Sequence, residues 1–421
     1  MSTAFMQSTD MNGFDNIRIA VIGGGAAGMM AAGTALSFGA DVTVFDHSGR
    51  LGKKLAITGK GRCNVTNNSS INGILENITS NPRFMYASLN AFSPMDTMAF
   101  FEGLGVPLKT ERGNRVFPES DKAIDIVNAL KSYCEGAKTV FSHVKSIKKE
   151  DDGSFSVSAD KQYSFDKVII ATGGRSYPLT GSDGSGYRLA MKLGHTVTEL
   201  KPSLIPLESS SPLCERMQGL SLKNVGIKVA SRDGRLYYED FGEMMFTHFG
   251  VTGPMILSAS AHLKDNDISD MILKIDLKPA LDEKTLNDRI LSDFSKNVNK
   301  DFINALGGLL PSKMIEPFID TCGIDGRKKV NSITKEERKR IIEVLKSFEI
   351  TLTRPRPIEE AIITSGGINV KEISPRTMES KITNGLYFAG EMIDVDAYTG
   401  GFNLQIAFST GYAAGKAAAT E

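Results

Sequence analysis

The sequence lacks the features that mark secreted, membrane and metal-binding proteins. Its 421 residues include only four cysteines, which lie far apart and form no C-x-x-C pair or metal-binding spacing. No apolar run approaches the roughly 20 residues that span a bilayer. The N-terminus also lacks the basic and then apolar order of a signal peptide. We therefore expect no membrane partner, no metal site and a cytoplasmic location.

The sequence also lacks an excess of charge of either sign. It has 49 basic and 49 acidic side chains, so no global field attracts nucleic acid or an anionic membrane. The basic clusters at 327–329 and 335–340 are interpreted as solvated surface, because Glu336 and Glu337 lie within the second one. A small-molecule substrate is therefore favoured over a nucleic-acid partner, and the oligomeric state stays open.

A dinucleotide-binding pattern stands near the N-terminus. The apolar run Ile17–Ile22 is typical of a buried parallel strand, and the glycines Gly23, Gly25 and Gly28 of a G-x-G-x-x-G turn follow it before a helical pattern. In this motif the glycines permit a tight turn, the approach of a pyrophosphate and close helix packing. A second strand-like run then ends at Asp46, where the fold places an acceptor for the adenosine ribose.

Three later segments favour FAD over NAD. The pattern from Thr139 to Phe165 predicts a β-meander whose first strand spans 139–149, where a continued βαβ series would show a helix. The run 168–171 is a strand that ends in a glycine turn, and 385–389 is another that ends in Gly390 and Glu391. Gly400 and Gly401 then open a helix, whose N-terminus suits a flavin ring. No second strand–G-x-G-x-x-G–helix unit is present, so NADH or NADPH is expected only as a transient electron donor.

Five motifs carry a resemblance to a known family: GGGAAG at Gly23, TGKGRCNVTN at Thr58, ATGGRSYPLTGSDGSG at Ala171, GEMMFTHFGVTGP at Gly242 and AGEMIDVDAYTGGFNLQIAFSTG at Ala389. From Ile17 onward the chain resembles the BaiN, RdsA and aminoacetone-oxidase family of FAD-dependent flavoproteins, within the glutathione-reductase-like FAD superfamily. The resemblance implies an α/β, Rossmann-like FAD-binding domain with a three-stranded β-meander. It also implies that an inserted β-barrel-like domain with a small helical subdomain interrupts this domain.

The predicted domain bounds follow from this outline. Residues 1–16 form a flexible tail, and 17–194 with 356–421 form the FAD-binding domain. The insert spans 195–355, of which 195–277 and 349–355 are β-rich and 278–348 helical; within the helical part, 282–298 and 301–322 read as single helices. A capping box at Thr334 precedes a helix that reaches Phe348. The segment 358–363 is expected to rejoin the main sheet.

The predicted site residues combine the motif positions with the resemblance. The FAD-binding set is Gly23, Gly25, Ala26, Ala27, Gly28, Asp46, Lys53, Gly61, Arg62, Cys63, Asn64, Val144, Ala171, Thr172, Gly173, Gly174, Gly390, Glu391, Gly401, Phe402 and Asn403. Family members often have Glu where this chain has Asp46. Cys63 is a lone cysteine, which cannot supply the vicinal dithiol of a disulfide reductase, and a buried structural thiol is the favoured interpretation.

Four residues are candidates for catalysis. His248 lies in a polar loop among glycines and aromatics, and Tyr398 precedes the flavin-facing helix, so either could protonate a substrate. Arg175 and Tyr177 are candidates for binding a carboxylate or carbonyl, although Arg175 could instead neutralise cofactor phosphate. A structural role stays open for each of them.

The predicted function is an FAD-dependent oxidoreductase that transfers a hydride between flavin N5 and a small or steroid-like substrate. Reduction of an unsaturated or oxo compound is favoured. The alternatives are an aminoketone or amine oxidase that uses O2, an FAD-dependent RNA-modifying protein, and an FAD-bearing interaction module without turnover.

Overall fold

The computed structural model describes residues 16–269 and 271–421, so the predicted N-terminal tail lies almost wholly outside the described residues. The strands are β1 Arg18–Ile22, β2 Asp41–Phe45, β3 Thr66–Asn67, β4 Leu108–Glu111, β5 Arg115–Pro118, β6 Lys138–Val140, β7 Ser146–Lys149, β8 Phe155–Ser158, β9 Gln162–Phe165, β10 Lys167–Ile170, β11 Lys201–Ser203, β12 Leu207–Ser209, β13 Ser221–Ala230, β14 Leu236–Thr247, β15 Gly250–Thr252, β16 Ile272–Asp276, β17 Phe348–Pro355, β18 Ile363–Ser365 and β19 Leu386–Phe388. The α-helices are α1 Ala26–Ser37, α2 Ile71–Glu76, α3 Tyr86–Ala91, α4 Pro94–Gly103, α5 Ala123–Tyr133, α6 Ser185–Lys192, α7 Pro212–Arg216, α8 Pro254–Leu263, α9 Glu283–Ser295, α10 Phe302–Ala305, α11 Ser312–Cys322, α12 Lys335–Lys346 and α13 Phe402–Thr420.

A five-stranded parallel sheet forms the first half of the molecule. Its order is β19-β10-β1-β2-β6, and all four pairings are parallel. The apolar residues of β1 and β10 are buried, as expected for strands that are covered on both faces. Because the strands are parallel, their carboxyl ends meet at one edge, where the loops after β1, β2, β10 and β19 lie together.

The C-terminal helix packs closely along the first helix. A Cβ added at Gly411 would lie 2.5 Å from the carbonyl oxygen of Ala27, and one added at Gly415 would lie 2.3 Å from that of Ala31. Only glycine allows the two backbones to approach this closely. The last helix of the chain is thereby locked against the helix that follows the glycine turn.

The β-meander is present as the antiparallel sheet β7-β8-β9. The single strand predicted over 139–149 is wrong, because this segment contains two strands of different sheets. β6 pairs with β2 at the edge of the parallel sheet, and β7 pairs with β8 in the meander. The intervening residues 141–145 carry the chain from one sheet to the other.

The second half of the molecule is a closed barrel with a helical subdomain. The barrel order is β12-β15-β14-β13-β16-β17, and helices α9 to α12 lie between β16 and β17 in the chain. The capping box at Thr334 is formed as predicted, with reciprocal hydrogen bonds to Glu337. The buried residues of this half form a hydrophobic cluster separate from that of the parallel sheet. The predicted fold class is confirmed, while the domain bounds stay a prediction.

Two predicted elements of this region are wrong. The helix predicted over 301–322 is divided into α10 and α11, because Gly307, Gly308 and Pro311 favour turns between them. The segment 358–363 does not rejoin the main sheet. Instead β18 pairs antiparallel with β11 in a two-stranded sheet. The chain passes from the parallel-sheet half to the barrel half once and returns once, and these two connecting segments pair with each other.

Candidate FAD site and active site

The glycine turn after β1 leaves open space at the N-terminus of α1. An added Cβ at Gly23 would lie 2.4 Å from the carbonyl oxygen of Ala171, and one at Gly28 would lie 1.8 Å from that of Gly23. A Cβ at Gly25 would meet no atom within 4 Å. No side chain caps α1, which begins at Ala26. Unpaired N–H groups beside open space are suited to an anionic phosphate.

The predicted segments 171–174 and 390–391 meet at this same edge, although more than 200 residues separate them. A Cβ at Gly390 would lie 2.7 Å from the Cβ of Ala27 in α1. A Cβ at Gly174 would lie 2.4 Å from Thr364 Oγ1 and 2.7 Å from Glu391 Oε1. The backbone at Gly390 therefore packs against the start of α1, and the backbone at Gly174 packs against Thr364 and Glu391.

The carboxylate of Glu391 is held by three protein donors. It accepts hydrogen bonds from Lys54 Nζ at 2.7 Å, from Ser176 Oγ at 2.9 Å and from the backbone N–H of Thr364 at 2.9 Å. The sequence-based prediction chose Lys53, which is half-buried, whereas the ion pair to Glu391 is made by Lys54. Contact of Glu391 with a ribityl chain stays a prediction, and the structure shows how its carboxylate is oriented.

Asp46 follows the last residue of β2, at the far side of the glycine turn. Its carboxylate accepts hydrogen bonds from the backbone N–H groups of Gly24 and Ser48, both at 2.8 Å. Val144 is buried in the segment after β6, the strand next to β2. These residues form the edge of the site at which the sequence predicts the adenosine.

The segment 58–64 supplies a buried acceptor at the other end of the site. The Oδ1 atom of Asn64 is buried and has no hydrogen-bond partner in the described part of the chain. Burial raises the pKa of the Cys63 thiol to about 12, against a hydrogen bond with Thr58 that lowers it. The four cysteines are all free and buried. Cys63 is therefore an un-ionised thiol, and the unsatisfied amide of Asn64 is suited to an N–H of a flavin ring.

Arg62, which was also predicted to bind FAD, has its guanidinium occupied by other groups. It donates to Glu111 Oε1 at 2.5 Å and to Asp121 Oδ1 at 2.8 Å, and it lies over the ring of Phe117. Its neighbour Gly61 is exposed and has a left-handed φ of 86°. The guanidinium of Arg62 is therefore engaged by protein groups, and its contact with FAD stays a prediction.

The N-terminus of α13 lies beside β3. The helix begins at Phe402, with Gly401 as N-cap at a φ of 98° and no side-chain cap. A Cβ at Gly401 would lie 2.2 Å from the carbonyl oxygen of Thr66. The side-chain amide of Asn403 is used internally, because it accepts from the N–H of Ala397 and donates to the carbonyl of the same residue. Asn403 thus holds the loop that precedes the helix.

That loop presents Tyr398 to a histidine of the barrel half. The Tyr398 hydroxyl is hydrogen-bonded to Nε2 of His262, which lies in the last turn of α8. The rings of His262 and Tyr238 lie 4.8 Å apart, and the Tyr238 hydroxyl donates to Asp240 Oδ2 at 2.8 Å. Burial, and then the charge of Lys264, hold the pKa of His262 below its usual value, although Asp240 opposes them.

A buried ion pair lies next to this cluster. Lys264 Nζ lies 3.0 Å from Asp396 Oδ1, and the Asp396 side chain is fully buried. The ammonium also donates to Ser80 and Ser365, and the carboxylate accepts from Ser203 and Ser365. Although burial alone would raise it, Lys264 and the neighbouring hydroxyls hold the pKa of Asp396 below its usual value. The pair joins the end of α8 to the segment that carries Tyr398.

The other three catalytic candidates, His248, Arg175 and Tyr177, have exposed side chains. His248 is exposed at the turn between β14 and β15, where its ring contacts Phe249. Arg175 and Tyr177 are exposed in the segment after β10, and Arg175 lies 3.8 Å from Glu359. Among the described residues, no hydrogen bond, ion pair or ring contact links any of these three to Tyr398. None of the three therefore takes part directly in the Tyr398–His262 contact.

Sequence reasoning missed His262, Lys264, Asp396 and Lys54. His262 and Lys264 end an otherwise apolar helix, and their partners lie more than 130 residues later. A signal was present in the buried Asp396 of the run MIDVDAY, since a carboxylate among apolar residues needs a partner.

The site is suited to a dinucleotide, and comparison with known proteins agrees. The model of the family described as HI0933-like protein Rossmann domain matches residues 17–417. The chain belongs to the HI0933-like family. Proteins of this family bind FAD, and the protein is an FAD-dependent oxidoreductase. No helix in the described part of the HI0933-like chain combines the length and apolar character that crossing a membrane requires.

Curated relatives cover almost the whole chain. The 3-dehydro-bile acid delta(4,6)-reductase of Clostridium scindens is 31% identical over 96% of this chain and 99% of its own. The ribosomal RNA dihydrouridine synthase of Haemophilus influenzae is 30% identical over 93% of this chain and 96% of its own. The Escherichia coli enzyme of the same name is 29% identical over 96% and 97%. By their names, the first of these relatives acts on a bile acid and the other two act on ribosomal RNA.

Solved structures share the fold at low identity. The 3-ketosteroid delta1-dehydrogenase of Sterolibacterium denitrificans has a TM-score of 0.52 at 13% identity, with 95% of this chain and 99% of that chain covered. The 3-ketosteroid-delta4-(5alpha)-dehydrogenase of Rhodococcus jostii RHA1 has a TM-score of 0.50 at 15% identity, with 96% and 97% covered. At these identities the likeness shows the fold alone.

Proposed function

We propose that the protein uses FAD to reduce a carbon–carbon double bond conjugated to a carbonyl group. The observation that carries the proposal is the position of Tyr398. This residue lies three residues before the N-cap of α13, and its hydroxyl is hydrogen-bonded to His262. Reduction of such a bond needs a hydride at one carbon and a proton at the other, and Tyr398 supplies the acidic proton.

The names of the relatives support this reaction class. A delta(4,6)-reductase and a dihydrouridine synthase both concern hydrogens at a carbon–carbon bond. In a 3-oxo-4-ene steroid and in uracil alike, that double bond is conjugated to a carbonyl. One flavin site with one acid would serve either substrate.

The FAD would be held along the edge of the parallel sheet. Gly25 and the start of α1 would face the pyrophosphate, Asp46 the adenosine ribose, and Asn64 with the N-terminus of α13 the ring. Bound FAD, once reduced, supplies the hydride. The unpaired N–H groups at the start of α13 would stabilise negative charge that develops near them.

Tyr398 is preferred over His248 as the proton donor. Burial, with a smaller effect of Asp396, raises the pKa of Tyr398, so its hydroxyl stays protonated at neutral pH. His248 is exposed at a hairpin turn and has no hydrogen bond within the described residues. We expect Tyr398→Phe to slow reoxidation of the reduced enzyme by ~100-fold, the lower end for losing a general acid, and His248→Ala to retain most of the rate.

The test of the function begins with anaerobic holoenzyme, reduced by NADH or NADPH and, separately, by dithionite. The reduced enzyme is mixed with 4-androstene-3,17-dione and, in a second arm, with an unmodified ribosomal RNA transcript. Reoxidation with a product two mass units heavier is the expected result in one arm. No reoxidation in either arm, or reoxidation by O2 alone after reduction by an aminoketone, would overturn the proposal.

Modification of RNA is the second candidate for the substrate class. It is favoured by two relatives named ribosomal RNA dihydrouridine synthase, at 30% and 29% identity. The balanced charge of the chain favours a small molecule instead. A product in the RNA arm alone would decide for RNA, and one in the steroid arm alone would decide for a small conjugated ketone.

A further inference from the structure

The Tyr398–His262 pair places a half-buried phenol against an exposed imidazole. A phenol that has given its proton to a substrate must recover one from water, and the imidazole hydrogen-bonded to it is the more exposed member of the pair. We propose that His262 acts as a positioning residue that returns protons from water to Tyr398 in each catalytic cycle. This inference rests on the proposed function of conjugated-bond reduction.

The ion pair of Lys264 and Asp396 keeps the Tyr398–His262 pair in place. Lys264 follows His262 by two residues, and Asp396 precedes Tyr398 by two residues, so the 3.0 Å contact between their charged atoms joins both chain segments directly beside the pair. The ion pair connects α8 of the barrel half with the FAD-binding half. Substrate pockets favour such boundaries between domains.

The groups around His262 set its protonation state. It faces Tyr238 and Asp240 of β14, Lys264 after α8, and Tyr398 of the C-terminal segment. Although the residue is exposed overall, the partial burial of its ring and then the charge of Lys264 hold the pKa of His262 below its usual value, and only Asp240 acts in the opposite direction. At neutral pH the ring is uncharged, with one nitrogen that donates and one that accepts. That is the state in which imidazole can take up a proton at one nitrogen and release one from the other.

The proton balance of the proposed step is closed. The O–H bond of Tyr398 breaks as its proton forms a C–H bond at the carbon next to the carbonyl, while the hydride goes to the other carbon of the double bond. The phenolate then takes the proton from Nε2 of His262, and Nδ1 takes one from water. The substrate gains one hydride from the reduced flavin, which carries a hydrogen and two electrons, and one proton that water replaces, and the imidazole returns to its first tautomer at solvent equilibrium.

The first experiment measures multiple-turnover reduction of 2-cyclohexen-1-one by anaerobic holoenzyme with excess dithionite, because Tyr398 must recover a proton only after its first transfer. We expect His262→Ala to lower the rate about tenfold, less than loss of the acid itself, and imidazole in the buffer to restore it in His262→Ala but not in Tyr398→Phe. The matched control is Tyr237→Phe, which changes the neighbouring tyrosine of β14 beside Arg235. A wild-type rate in His262→Ala, or a loss that imidazole does not restore, overturns the relay.

The second experiment needs no turnover. Ultraviolet titration of flavin-free protein reports the ionisation of tyrosine, and the difference between wild type and Tyr398→Phe isolates Tyr398. A donor at Nε2 stabilises the phenolate, so we expect His262→Ala to shift this titration to higher pH. An unchanged titration overturns the pairing. If no conjugated carbonyl reoxidises the wild type while the titration shifts, the proposed function fails and the pair stands as a structural contact.

Discussion

The buried ion pair of Lys264 and Asp396 offers a direct measure of how the two halves of the molecule are joined. Asp396 is fully buried, and Lys264 is only 9% exposed. At a separation of about 3 Å and an effective dielectric constant of about 20, their attraction is roughly 5 kcal/mol. Hydroxyls of one threonine and three serines complete the hydrogen bonding of the pair: Thr79, Ser80, Ser203 and Ser365.

Removal of one partner leaves the other charge buried and unpaired. We expect Asp396→Asn and Lys264→Met each to destabilise the folded protein by about 3 to 5 kcal/mol. This is a large share of a typical folding free energy of about 5 to 15 kcal/mol. The double variant should be destabilised by about 1 to 3 kcal/mol less than the sum of the two single destabilisations, because neither charge is then left unpaired.

Urea unfolding followed by circular dichroism measures the free energy of unfolding of wild type, both single variants and the double variant. The reasoning fails if the double variant is destabilised by the full sum, since the two side chains would then not interact.

A second check of the ion pair uses pH. Because the pKa of Asp396 in the folded protein lies below its unfolded value of about 3.9, its stabilising contribution is present above that value and is lost as the pH falls below it. The difference between wild type and Asp396→Asn should therefore shrink in acid.

The remaining predictions concern the cofactor. The protein should purify yellow with about one releasable FAD per chain, and a colourless protein that FAD cannot reconstitute would contradict the central assignment. Glu391→Ala should remove a charge-assisted hydrogen bond of roughly 1.5 to 3 kcal/mol and raise the FAD dissociation constant about ten- to a hundredfold; an unchanged constant would show that Glu391 serves only its protein partners. Gly25→Ala should weaken FAD binding without a change in the urea midpoint of flavin-free protein, whereas Gly28→Ala should destabilise by about 1 to 3 kcal/mol through overpacking. Asn403→Ala should release the loop that carries Tyr398, so substrate-dependent reoxidation should slow while the flavin spectrum is kept.

The sequence alone determined the features that depend on neighbouring residues. The buried run of β1, the glycines Gly23 and Gly28 and the helix after them form one local unit, in which each residue type answers a local steric need. The capping box at Thr334 is equally local. The strand pattern at 385–389 and the glycines before the last helix likewise predicted β19 and α13 from local sequence.

Only the tertiary structure decided which distant residues meet. The pairing of β18 with β11 follows from two chain crossings that run side by side, and no local pattern shows it. His262 and Tyr398 are 136 residues apart and belong to different halves of the molecule. Each is ordinary in its own segment, a histidine at the end of an apolar helix and a tyrosine before a glycine turn. The proposed proton transfer requires the contact between the two side chains. That contact depends on how the barrel half packs against the FAD-binding half.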